Sequence, residues 1–173
     1  MVVQSGAIVH QSGAFFSRFH GNTYQKGLKG GISMFTGEFE HSVDSKNRIF
    51  VPARFREELG ETFMVTRDIR CPILKMYSLE EWEKYLAPIR AQERKVAEKA
   101  LRYLHRNAAQ VSPDAQGRIV LSAALLAYAE IEKEAVVVGC SDYCEIWSLA
   151  NYRAEIESED ADEIRSELER LGL

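Results

Sequence analysis

Cysteine, excess positive charge and long apolar runs are all scarce in this sequence, and each shortage excludes something. Three cysteines in 173 residues, Cys71, Cys140 and Cys144, are too few and too odd a set for a disulfide scaffold. They read as free thiols in a reducing compartment. Nothing approaches the roughly 20 consecutive apolar residues of a membrane-spanning helix. The start also lacks the basic tip and unbroken apolar run of a secretory signal. The expectation is a cytoplasmic protein with no membrane association. Lys and Arg number 22 against 26 Asp and Glu, a net charge of −4, so a uniformly basic nucleic-acid binder is excluded.

Catalytic signatures are missing as well. There is no Gly-x-Ser-x-Gly elbow, no phosphate loop ending in Gly-Lys-Ser/Thr and no Gly-x-Gly-x-x-Gly turn. Cys140 and Cys144 lack the neighbouring histidine or second cysteine pair of a zinc site. His41 and His105 stand alone in sequence. The reading is a protein that is not an enzyme, with no cofactor, no metal and no small-molecule substrate.

What is present is a globular composition, 46% hydrophobic and 28% charged, enough for one ordinary core or two small ones sharing an interface. Charge is segregated along it. From Asp44 to Arg56 a single acid faces Lys46, Arg48, Arg54 and Arg56, whereas Glu155 to Arg170 holds eight acids against two arginines. Residues 1–33 carry six of the 11 glycines and no acid, without sustained periodicity. They read as a flexible extension, and because Met34 opens the first well-patterned segment, non-native origin of this stretch is a working hypothesis.

The remainder repeats itself. Asp44-Ser45-Lys46-Asn47-Arg48-Ile49-Phe50-Val51 returns seventy positions later as Asp114-Ala115-Gln116-Gly117-Arg118-Ile119-Val120-Leu121. Tyr77-Ser78-Leu79 with Trp82 returns at the same offset as Trp147-Ser148-Leu149 with Tyr152, the middle needing compensating two-residue gaps. Each copy reads as strand, tight turn, strand, short helix and further strands. Asn47 and Gly117 tolerate the positive φ of a reversal. Pro52 opens a helix that Gly60 stops, and Ser122 opens its counterpart as an N-cap. Phe63–Thr66 and Ala135–Val138 are β-prone.

Between the copies, Ser78–Asn107 is expected to be helical with a break near Pro88. Its apolar stripe of Val96, Ala97, Ala100, Leu101 and Leu104 lies among Arg94, Lys95, Lys99, Arg102 and Arg106. Those cations read as solvated or subunit-contacting surface. A final acidic helix from about Asn151 sets Ile164, Leu168 and Leu171 on one stripe, as a weakly docked or subunit-contacting tail would. Trp82 and Trp147 are expected to pack in a core or interface.

The two Asp-x-x-x-Arg signatures, each leading into an apolar strand, together with Glu81-Trp82 and Val136-Val137-Val138-Gly139, resemble the MraZ family of bacterial transcriptional regulators. The likeness runs from Met34 to about Tyr152. It implies an α+β fold in which two tandem AbrB-like swapped-hairpin units form a pseudo-twofold β core with connecting and C-terminal helices. The expected limits are 34–84 for the first unit, 85–107 for the connector, 108–152 for the second unit and 153–173 for the acidic helix. It further implies a ring homo-oligomer, associated with the nucleoid, that binds repeated boxes in double-stranded promoter DNA of the division and cell-wall gene cluster.

For DNA contact the candidates are Arg48, Lys46, Arg54, Arg56 and Arg118, with Asp44 and Asp114 orienting the turns. A guanidinium just past a turn can bond both major-groove acceptors of guanine, while Lys46, Arg54 and Arg56 suit phosphates. Arg48 could instead simply pair with Asp44 across its turn. The second copy lacks cations over Ser122–Ala129, which weakens its claim to an equal role. The competing reading is a non-catalytic protein-binding or assembly module.

Overall fold

A computed structural model describes residues 34–173; the proposed N-terminal extension lies outside the described residues. The elements follow in order as β1 (Glu38–Ser42), β2 (Arg48–Phe50), α1 (Ala53–Leu59), β3 (Phe63–Arg67), β4 (Leu74–Ser78), α2 (Leu79–Arg90) and α3 (Arg94–Arg106). Then come β5 (Ala108–Val111), β6 (Arg118–Val120), α4 (Ala123–Tyr128), β7 (Glu134–Cys140), β8 (Tyr143–Ser148), α5 (Leu149–Ser158) and α6 (Ala161–Arg170). The protein is α+β, with an antiparallel sheet ordered β1-β7-β8-β4-β3-β5 and a separate ribbon of β2 and β6.

That strand order is a palindrome of the repeat. β1 of the first copy pairs with β7 of the second, Phe39 opposite Val137, and β5 of the second pairs with β3 of the first, Ala109 opposite Val65. Phe39 and Ala109 are equivalent positions, as are Val65 and Val137, so each copy lends its first strand to the other. The local twofold axis passes where equivalent residues meet: Ile49 faces Ile119 in the ribbon and Lys75 faces Glu145 between β4 and β8. Backbone bonds repeat across it, from Val51 N to Gly117 O at 3.0 Å and from Leu121 N to Asn47 O at 2.9 Å.

The repeat's gaps fall in loops. Leu59 and Ala129 are seventy apart, Phe63 and Ala135 seventy-two, and Leu74 and Cys144 seventy again. A longer α4–β7 link is therefore matched by a shorter β7–β8 turn, and strand register is kept. One core serves both copies: Ile49, Val51, Phe55 and Val65 pack with Ile119, Leu121, Val137 and Ile146. The opposite sheet face carries α2 and α3, where Trp82, Leu86 and Leu104 join Met64 and Tyr77. Trp82 is thus a packing residue, while half-buried Trp147 donates its Nε1–H to Glu145 at 2.8 Å and meets Tyr152 edge-on.

Local signals explain most element ends. Ser78, Ser122 and Ser148 each accept a hydrogen bond from the backbone N–H three residues on, all at 3.2 Å, and start α2, α4 and α5. Pro88 does not interrupt the connector at its own position but sits inside the last turn of α2, and the break falls at 91–93. Proline lacks the N–H that would bond the Lys84 carbonyl, and the helix runs on for only two residues beyond it. The tail is two helices rather than one. Asp160 accepts from the N–H groups of Asp162 and Glu163 and starts α6 anew.

Gly139 has a specific reason to be glycine. The chain at Phe35 and Thr36 crosses β7 there, and a Cβ on Gly139 would lie 2.4 Å from the Phe35 carbonyl carbon. Bonds from Gly139 N to Gly37 O and from Phe35 N to Ser141 O, both 2.8 Å, fix the crossing.

Candidate nucleic-acid interface

Each signature turn is closed by its own aspartate. Asp44 Oδ1 accepts from the backbone N–H groups of Lys46 at 2.9 Å and Arg48 at 3.0 Å, and its Oδ2 accepts from Arg48 Nε and Nη2, both at 2.7 Å. Asp114 repeats the pattern with the N–H groups of Gln116 and Arg118, and with Arg118 Nε at 3.0 Å and Nη2 at 2.7 Å. Asn47 and Gly117 complete the reversals at φ 58 and 80. A four-residue reversal folded back on a carboxylate is what an aspartate at the first turn position provides.

The electrostatics follow the geometry. The Arg48 guanidinium, aided by backbone N–H groups, holds the Asp44 carboxyl down at about 2, and Arg118 does the same to Asp114. Hydrogen bonding to Asp44 in turn pushes Arg48 upward. Arg118 Nη1 also lies 3.8 Å from Asp44 Oδ2, so the two pairs form one quartet beside the twofold axis.

Residues alternate faces along β2 and β6. Ile49 and Ile119 are fully buried, which turns Arg48, Phe50, Arg118 and Val120 to the outer face of the ribbon. The Arg48 and Arg118 side chains remain 26% and 27% exposed. A guanidinium carries five N–H bonds. Two of those on Arg48 converge on Asp44 Oδ2, and the others have no partner among the described residues.

The other sequence candidates occupy different settings. Lys46, at the tip of the first turn, and Arg54, on the outer side of α1, are exposed and hold no ion pair among the described residues. Arg56 is engaged inward. Its Nε donates to Val51 O at 3.1 Å and its guanidinium lies 5.7 Å over the Phe50 ring. It also fills the space a Cβ on Gly117 would need, 2.7 Å from Cζ. Gln116, exposed at the tip of the second turn, was not among the candidates, although the seventy-residue register alone equates it with Lys46.

The remaining polar groups point elsewhere. His41 lies against Phe50 and His105 against Trp82, so they form no pair. The three cysteines are free thiols. Burial pushes the Cys140 thiol up to about 11 and Cys144 further still, which keeps both protonated at neutral pH. Among the described residues no helix is long and apolar enough to cross a membrane, and no three His, Cys, Asp or Glu side chains are grouped to hold a metal ion.

Strand exchange between two tandem copies, with an Asp–Arg turn at the axis in each, defines a two-copy swapped-hairpin protein. The chain belongs to the MraZ family. The family's profile, described as MraZ protein and antitoxin-like, matches it twice, over residues 34–103 and 104–171. Curated relatives include the transcriptional regulator MraZ of Pediococcus pentosaceus, 39% identical over 145 residues, and that of Desulfitobacterium hafniense, 41% identical over 146. The corresponding protein of Halothermothrix orenii is 38% identical over 146 residues. Each alignment spans 81% of this chain and all of the relative. These relatives are named as regulators of transcription, not as enzymes.

Proposed function

We propose that this protein is a sequence-specific DNA-binding transcriptional regulator, working at the nucleoid in the cytoplasm. As a ring homo-oligomer it binds repeated promoter boxes of the division and cell-wall gene cluster. The observation that carries the reading is the twofold-related pair Arg48 and Arg118 on the outer face of one two-stranded ribbon. A β-ribbon fits the major groove, and a guanidinium held at its base by a carboxylate is pre-oriented to present its free N–H groups to a guanine edge. Lys46 and Arg54 supply phosphate contacts, and Gln116 stands where Lys46 would be in the second turn. The net charge of −4 does not oppose this, because the acids concentrate in the tail. Repetition of a modest contact around a ring raises affinity for repeated boxes through effective concentration.

The test is binding to the promoter upstream of its own gene over a range of salt. Arg48→Ala and Arg48→Lys should lose preference for the specific box while retaining fold and assembly. Arg54→Ala should reduce the slope of log affinity against log salt by about one. The Asp44–Arg48 pair also serves to close its turn, as an assembly module would use it, and absence of specific binding by the wild type would decide for that reading.

A further inference from the structure

An apolar groove of about 640 Å³ runs between α2, α3 and the β3–β4 loop, floored by Ile89, Ala100 and Leu104. Its rim is unusually bare: Ile69 is 60% and Val96 55% exposed, and Tyr103 is exposed beside them. Lys95 and Lys99 flank it and hold no ion pair among the described residues. Elsewhere on the chain, α6 buries nothing. Its Ile164, Leu168 and Leu171, at helical spacing, are exposed on one stripe. Glu163 and Glu167 flank the stripe on one side, Glu167 also bonding Arg170, and Arg165 on the other side pairs with Asp162. One surface is an apolar slot with a basic edge, and the other an apolar ridge with an acidic edge.

We propose that α6 of one subunit docks in the α2–α3 groove of the next. This deepens the assembly part of the proposed function, on which it rests, by naming the contact that builds it. Three observations support an intermolecular fit. Side-chain character matches, since an amphipathic helix lays its apolar face into a groove through anchors at positions i, i+4 and i+7. Charges are complementary along one edge, where Lys95 and Lys99, four apart on α3, can face Glu163 and Glu167, four apart on α6. Third, the twofold that relates β4 to β8 relates the starts of α2 and α5, because Ser78 and Ser148 cap them at equivalent positions. The strands β4 and β8 run antiparallel as neighbours, so α2 and α5 leave the sheet at opposite ends. Asn151 bonded to Glu130 and Tyr152 bonded to Glu38 anchor the base of α5 on its own side.

Groove and ridge are different surfaces, so the contact is head-to-tail and closes into a ring where the rotation allows. It also predicts a distinctive mixing result. Ile164→Glu/Leu168→Glu chains keep an intact groove but no ridge, while Val96→Glu chains keep an intact ridge but a blocked groove. Each alone should drop from the wild-type mass to monomer in sedimentation, with circular dichroism unchanged, since these side chains are exposed. Mixed together, they retain one usable contact and should form dimers that grow no further. Pairing Lys95→Glu/Lys99→Glu with Glu163→Lys/Glu167→Lys in one chain should restore assembly lost by either charge reversal alone. Wild-type mass in both the ridge and the groove variants would overturn this contact and leave the ring reading standing. A wild type that is monomeric at all concentrations would remove the ring reading itself. Assembly loss on ridge mutation but not on groove mutation would place the ridge against some other surface and also overturn the proposal.

Discussion

Lys75 and Glu145 occupy the same position in the two copies, carry opposite charges, and face each other across the β4–β8 pair with 3.8 Å between Nζ and Oε1. A perfect repeat would set two like charges on the axis. Lys75 also bonds Asp68 at 2.9 Å and lies 4.6 Å over the Tyr143 ring. Burial works against both charges of the Lys75–Asp68 pair. Their mutual hydrogen bond, with the N–H groups of Arg70 and Cys71 on Asp68, outweighs it, so Asp68 is lowered and Lys75 raised.

Replacing Lys75 by Met should therefore destabilise the protein by about 2 kcal/mol, because two poorly solvated carboxylates lose their cation. The side chains of Lys75, Asp68 and Glu145 are only 19%, 11% and 15% exposed. Lys75→Glu, which assembles three carboxylates, should be worse. Urea denaturation at neutral pH measures both, and equal midpoints for wild type and Lys75→Met would refute the account.

Acid should act through the signature turns. Asp44 and Asp114 are held at about 2 against an ordinary value of 3.8. Between those values the unfolded chain binds protons that the folded chain does not, so their stabilisation is complete above about 4 and is lost as pH falls toward 2. Urea midpoints taken from pH 5 to pH 2 should fall less steeply in Asp44→Asn/Asp114→Asn than in the wild type. Parallel slopes would count against the turn aspartates as the acid-sensitive groups.

His41 contributes with the same sign at higher pH. Burial lowers it below its usual 6.5, and its buried Nε2 has no hydrogen-bond partner among the described residues. Protonation is favoured in the unfolded state, so stability should decline as pH drops through about 6.5. His41→Phe, which keeps an aromatic against Phe50, should remove that decline in thermal unfolding measured from pH 7.5 to 5.5.

Gly139→Ala should destabilise by about 2 kcal/mol, since the new Cβ meets backbone that cannot rotate away. Gly60→Ala meets nothing within 4 Å but sets an alanine at φ 86 and ψ −175, a region essentially reserved for glycine, and should cost about 1 kcal/mol. The thermal midpoint should separate the two variants in that order.

Gly117 and Arg56 should be coupled. Gly117→Ala displaces the Arg56 guanidinium, so in Arg56→Ala the same change should lose part of its effect, with an interaction energy of about 0.5–1 kcal/mol in a double-mutant cycle. Gly117→Asn, copying Asn47, should be milder than Gly117→Ala in backbone strain.

The sequence makes the repeat, the turns and the helix starts legible because each depends on residues close together: Asp44 with Arg48, Ser122 with Leu125, Asn47 with its own φ. The Val-Val-Val-Gly signature is visible too, but the reason for Gly139 is not, since Phe35 crosses it from a hundred residues away. The exchange of β1 and β5 between copies is likewise invisible to periodicity, which says which face of a strand is apolar and nothing of its neighbour. The resemblance supplied that part. Within the candidate site, local pattern singled out Arg48 and Arg118 but could not distinguish exposed Lys46 and Arg54 from Arg56, which folds back over Phe50 and Gly117. The break near Pro88 is legible to within a few residues, falling at 91–93, whereas the division of the tail at Asp160 is not, because the apolar stripe of its last turns runs on without marking where a new cap begins.

Exchanged strands also set a timetable for synthesis. Phe39 finds its partner Val137 about a hundred positions later, so β1 leaves the ribosome long before anything exists for it to pair with. During that interval it is an unprotected strand, and the nascent first copy lacks half of its ribbon as well. Sheet closure must await translation of nearly the whole chain, which makes this a slow, late-committing fold for its size.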